Sequence, residues 1–136
     1  MTATLSEVRE ALAEQVRTVP GLLAVHDRVP DSMSAPCAVV QPAPGDFLQF
    51  RPTFDDAANY LLLVTVYVPG ADAVNGQLAL GPFLAPSGAS SITAAVNGTL
   101  GGVVSSAVNN FARNYRAETW DEQRYIAVDF PVQVMT

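Results

Sequence analysis

The chain has 136 residues, 49% of them hydrophobic and 15% charged, which is enough for one compact domain with a real core, taken as residues 1–136. All seven basic residues are Arg, which excludes a G-x-x-x-x-G-K-[ST] phosphate loop and a lysine Schiff base, and the net charge of −6 speaks against wrapping nucleic acid. The single cysteine, Cys37, excludes an internal disulfide, and no apolar run reaches the length of a membrane span.

The N-terminus, Met-Thr-Ala-Thr-Leu-Ser-Glu, lacks a basic region and an apolar core, so no signal peptide is expected. Thr4 and Glu7 form a capping-box pattern. Leu5, Val8, Leu12 and Val16 then make an apolar stripe, with Glu7, Glu10, Glu14 and Arg17 on other faces, and Val19-Pro20-Gly21 stops the helix. Leu22 to Val25 can begin a strand. Arg28 to Pro36 reads as loop, and Cys37 to Gln41 as a short strand closed by Pro42-Ala43-Pro44-Gly45. Phe47 to Phe50 extends again, and Arg51 to Asn59 reads as an exposed loop.

Tyr60 to Val68 is the strongest strand in the chain. It is apolar on both faces, as expected of a central strand covered on both sides. Pro69-Gly70 turns it. Ala71 to Leu84 has helical spacing at Val74, Leu78 and Leu80, weakened by Gly76 and Gly81-Pro82. A short helix follows between breakers. Pro86 and Gly88 precede it, Ser87 or Ser90 can accept N–H groups at its start, and Ile92, Ala95 and Val96 share a face. Asn97-Gly98 ends it, and Gly101-Gly102 frees the chain before a Val103-Val104 strand.

Val103 to Arg116 reads as one long strand, bulged near Asn109-Asn110, and Asp121-Glu122 as a turn. In the last strand Ile126, Val128, Phe130, Val132 and Val134 point one way, while Tyr125, Ala127, Asp129 and Gln133 point the other. Pro131 cannot donate a ladder bond and argues for an edge or a bulge. The fold class expected is α+β: a mixed, largely antiparallel sheet of about four to five strands with an N-terminal helix and one or two further helices packed on it.

Few residues carry reactive chemistry. His26, the only imidazole, could act as a base with Asp27 or Asp31, but a surface or packing role is the plainer reading. Cys37 reads as a buried inert thiol, with a Cys–His pair to His26 as the alternative. Asp55-Asp56 is too small a set for a cation cage. Catalytic, cofactor and metal residues are therefore assigned to none, and no cofactor is expected. Phe47, Phe50 and Phe54 cluster around Arg51, and Phe111, Tyr115 and Trp120 around Arg113 and Arg116. Base stacking is one use for such groups, but core packing plus protein contact fits the acidic balance better.

Several of these parts occur in an order that resembles the tail terminator proteins of long-tailed, siphovirus-type actinobacteriophages. They are the helix Leu5 to Val16, the Ala-Pro-Ser-Gly break in Leu84 to Gly88, the short helix Ser91 to Val96, Thr-Leu-Gly-Gly at Thr99 to Gly102, and the aromatic-led strand Tyr125 to Val134. Gly76, Gly81-Pro82 and Pro131 depart from the pattern. The resemblance implies a non-enzymatic virion protein that assembles in the host cytoplasm. It would form a homo-hexameric ring on the last ring of the major tail tube protein, end tube growth and offer a surface to the head-completion or stopper protein at the head–tail interface.

DNA would pass through the lumen without specific binding, and no membrane is involved. Six copies at −6 give a formal −36, a field that lets DNA slide. Asp55 and Asp56 are the lumen acids this implies, and Phe47, Phe50, Arg51, Phe54, Arg113, Tyr115 and Trp120 the oligomer or tube contacts. Another head–tail connector component, a tail-tube subunit and, last, a small enzyme or ligand-binding domain are the alternatives.

Overall fold

The computed structural model describes residues 4–28, 30, 34–44, 48–50, 58–70, 78–120 and 122–136. Helix α1 (Leu5–Arg17) starts where the sequence places it, on the Thr4–Glu7 capping box, and buries Val8, Leu12, Ala13 and Val16. The strands are β1 (Ala24–His26), β2 (Cys37–Pro42), β3 (Leu48–Phe50), β4 (Ala58–Pro69), β5 (Ser106–Val108), β6 (Arg113–Trp120) and β7 (Gln123–Met135). Residues 78–80 are helical and run into a 3₁₀ turn, Gly81–Leu84, and a further α-helix, labelled α2, is Ile92–Val96.

The fold is α+β, as expected. Five strands form the path β1-β2-β4-β7-β5, with β3 added on β4 and β6 on β7. Only β1–β2 is parallel. The central pair is β4 with β7, in register from Asn59↔Met135 to Pro69↔Tyr125. The helices cover one face. There α1, α2 and the 3₁₀ turn pack Val8, Leu12, Val16, Phe83, Ile92 and Val96 on Leu62, Val64, Val66, Val68 and the inward set Ile126, Val128, Phe130, Val132 and Val134. The opposite set, Tyr125 and Ala127, joins Cys37, Val39 and Tyr67 in a second, smaller cluster.

Gly70 is dictated by close approach. Its N–H donates to the Arg124 carbonyl at 3.0 Å, and a Cβ there would lie 2.9 Å from the Tyr125 carbonyl carbon.

Four local expectations are corrected. Ala58 and Asn59 belong to β4, not to a loop. Ser91, not Ser87 or Ser90, caps α2, its hydroxyl accepting the Ala94 N–H at 3.0 Å. Val103 and Val104 lie in turns, so the strand begins at Ser106. Val103 to Arg116 is not one strand, because β5 ends at Val108 and β6 starts at Arg113, with the bulge between Arg113 and Arg116.

The break has a specific cause. Asn109 is 1% exposed. Its Nδ2 donates to the Phe111 carbonyl at 2.8 Å and the Pro131 carbonyl at 2.7 Å. Its Oδ1 accepts from Thr93 Oγ1 at 2.6 Å, and its backbone N–H donates to Asn97 Oδ1 at 2.6 Å. Spending these groups sideways takes the chain out of the ladder and ties α2 to β7.

The same contact resolves Pro131. It is neither at a sheet edge nor in a bulge: it sits in β7 opposite Leu63 of β4. On its other side β7 pairs with β5 at Gln133–Met135 and with β6 up to Asp129. The Pro131 carbonyl faces the gap between those two partners, and in an extended strand the nitrogen points the same way. The missing N–H therefore costs the sheet no ladder bond.

Asn109→Ala should lower the unfolding free energy by about 2–3 kcal/mol, because it strands a buried carbonyl and the Thr93 hydroxyl. Urea unfolding measures this, and a loss under about 0.5 kcal/mol would mean that Asn109 is not the tie.

Candidate functional site

The sheet face away from the helices carries a buried polar cluster inside an otherwise apolar run. Thr65 and Asp129 are cross-strand partners of β4 and β7, 0% and 4% exposed. Thr65 Oγ1 donates to Asp129 Oδ1 at 2.8 Å, and Gln41 Nε2 lies 3.5 Å from Thr65 Oγ1. From β6, Arg116 Nη1 donates to Asp129 Oδ1 at 3.2 Å and Asn114 Nδ2 to Asp129 Oδ2 at 3.1 Å. Arg116 Nε also donates to Glu118 Oε2 at 3.0 Å.

The β6 bulge makes this convergence possible. Asn114 takes φ +64°, a left-handed step that asparagine tolerates, and so Asn114 and Arg116 both reach the one carboxylate. Burial pulls the Arg116 guanidinium down, but Asp129 and Glu118 outweigh it and hold it above its ordinary value. Burial, followed by the charge of Glu118, raises the Tyr67 phenol. Each carboxylate oxygen of Asp129 already accepts a bond, so the cluster fastens β6 to the sheet and leaves little to offer a ligand.

The expected contact residues separate. Arg113 and Tyr115 are exposed on β6, Tyr115 by 51%, and Phe111 before it equally so. Trp120 is half-buried and packs edge-on against Tyr67, 6.2 Å between ring centres, beside the second cluster. Phe50 ends β3. Phe47, Arg51, Phe54, Asp55 and Asp56 lie outside the described residues.

His26 and Cys37 share a sheet face but sit two pairs out of step, His26 opposite Val39 and Cys37 opposite Ala24. No hydrogen bond joins them among the described residues. The Asp27 carbonyl accepts from Arg9 Nε at 2.9 Å and its carboxylate lies 3.5 Å from Arg28 Nε, so Asp27 is held by arginines and not by the imidazole. A groove bounded by Ser6, Arg9, Glu10, Asp27 and Arg28 lies beside α1, and of the candidate residues it contains Asp27 without His26 or Cys37. Among the described residues no group of three or more His, Cys, Asp or Glu could hold a metal, and no helix is long and apolar enough to cross a membrane.

The sheet ends differ in how they are finished. At β1, Arg17 Nη2 donates to the Val25 carbonyl at 3.1 Å and Arg9 takes the Asp27 carbonyl, so α1 caps that edge. At β5, Gly98 closes the outer side by a bridge to Ala107, its φ of +135° open only to glycine. The outer side of β6 has no strand partner among the described residues. Among the exposed apolar side chains, Leu23 precedes β1, and Val108, Phe111, Tyr115 and Met135 lie on or beside β5 and β6, while Leu78, Leu84 and Val103 lie in the helical segments and a turn.

No known family model and no curated protein matches the chain.

Cys37 yields a pH test. Burial pushes its thiol from 9.0 up to about 11, the Ser34 backbone opposing. The folded protein thus keeps a proton that the unfolded chain loses earlier. Stability from this group is fully present below pH 9 and falls as pH rises toward 11. Cys37→Ala should flatten the decline in urea midpoint across that window relative to the parent, whereas parallel curves would count against a buried neutral thiol.

Proposed function

We propose that the chain is a structural subunit that works by assembly, capping a phage tail tube as the tail terminators it resembles do. The observation that carries this reading is the placing of exposed apolar side chains at opposite ends of one sheet. Leu23 is 71% exposed at the β1 end, and Phe111 is 51% exposed at the β5–β6 end. Two unlike patches at opposite ends meet head to tail, and head-to-tail contacts close into rings when the rotation allows.

Arg113, Tyr115 and Phe111 form the contact surface at one end. The tube protein and a head-completion protein are the partners in this reading, with the virion head–tail junction as the location. The net charge of −6 fits a lumen through which DNA passes without being bound.

The test is a tube-length assay. Added during polymerisation of the tail-tube protein, the chain should shorten the tubes and leave closed ends. Leu23→Asp and Phe111→Asp, each folded by circular dichroism, should lose the effect. Unchanged tube length with the parent protein contradicts the reading, as does polymerisation of the chain itself into tubes.

A further inference from the structure

The geometry points to a second, two-fold contact: the outer edge of β6 pairs antiparallel with the same edge of another copy. Most strand edges of the sheet are already covered. Arginines of α1 hold two carbonyls along β1, and Gly98 bridges β5. Among the described strands longer than three residues, β6 alone has a side without a partner. A run of unpaired N–H and C=O groups takes another extended segment by main-chain hydrogen bonds.

The hairpin fixes which groups are free. Trp120 pairs with Gln123, and Glu122 before Gln123 takes φ +64°. The Arg124 carbonyl accepts from Gly70 on the β4 side, so Thr119 opposite it, and Ala117 two residues before, turn their backbone groups outward, while Trp120, Glu118 and Arg116 turn theirs to β7. The bulge ends this regular stretch at Arg116.

The occupant is a second copy because the side chains complement their own reverse. With Ala117 opposite Ala117 of the other copy, Arg116 falls opposite Glu118 and Glu118 opposite Arg116. A small residue lies on the two-fold axis and Tyr115 stands opposite Thr119. Arg116 Nη2 and Glu118 Oε1 have no hydrogen-bond partner among the described residues, so each can reach across. Alternating charge on an edge repels most strands, and here it selects one. This contact closes on itself into a pair and uses backbone, whereas the ring contact above uses side chains at the sheet ends. It does not depend on the ring reading.

The experiment measures mass in solution by light scattering over a concentration range, with two variants. The parent should reach about 29 kDa, twice 14.4 kDa, as concentration rises. Ala117→Pro, which removes an outward N–H, should stay at 14.4 kDa. Ala117→Cys should give a disulfide-linked pair under mild oxidation, and Leu23→Cys should not; this comparison holds even if the proline variant fails to fold. A parent that stays monomeric with no Ala117→Cys cross-link overturns the pairing. So does a dimer that persists in folded Ala117→Pro. A particle near 86 kDa that is indifferent to both Ala117 variants also overturns the pairing while supporting the ring.

Discussion

The pairing of β4 with β7 leaves the far side of β7 to two separate strands, and the handover between them depends on one side chain. Asn109 turns to the Pro131 carbonyl just where neither β5 nor β6 reaches. Without that contact β7 would carry a buried, unpaired carbonyl beside a nitrogen with no proton. With it, a 13-residue strand can be flanked along its whole length. The inward set from Ile126 to Val134 then stays in register with α1 and α2. The same asparagine holds Thr93 and is held by Asn97, so the helical layer and the sheet are aligned by one residue.

A second tie works on the other face. Thr65 and Asp129 are polar residues at the centre of two apolar strands, and burying a carboxylate is costly unless it is paired. Arg116 and Asn114 supply the pairing, and they can do so because the β6 bulge brings both to one side. What looks like a candidate site is thus the fastening of the β6 arm. Holding that arm against the sheet is what gives its outer edge and the exposed Tyr115 a fixed shape to present. An assembly surface needs this kind of preorganisation, because ordering a loose arm on contact would weaken the contact.

Much of the fold could be read in the residues, and the misses have physical reasons. The α1 cap, the two long strands and the inward alternation of β7 follow from local pattern, which tertiary contacts reinforce. Pro131 was legible as a break in pairing, but not its place inside the sheet, which depends on Asn109 from 22 residues earlier. Splitting the segment from Val103 to Arg116 likewise required partners on α2 and β7. The polar cluster left a faint signal, a Thr and an Asp in apolar strands, whose meaning emerges only when β4 and β7 are placed in register. Trp120 and Tyr115 are close in sequence, yet strand residues of opposite parity face opposite ways. Tyr115 went outward and Trp120 onto Tyr67.

In the proposed ring, exposed apolar side chains at the two ends of the sheet are covered by further copies. Electron microscopy of the purified protein, alone and on the ends of tail tubes, tests this most directly. Six-fold end-on views, with Leu23 of one copy against Phe111 or Val108 of the next, are the predicted result. Isolated monomers at every concentration, and tube ends with no added density, would contradict it.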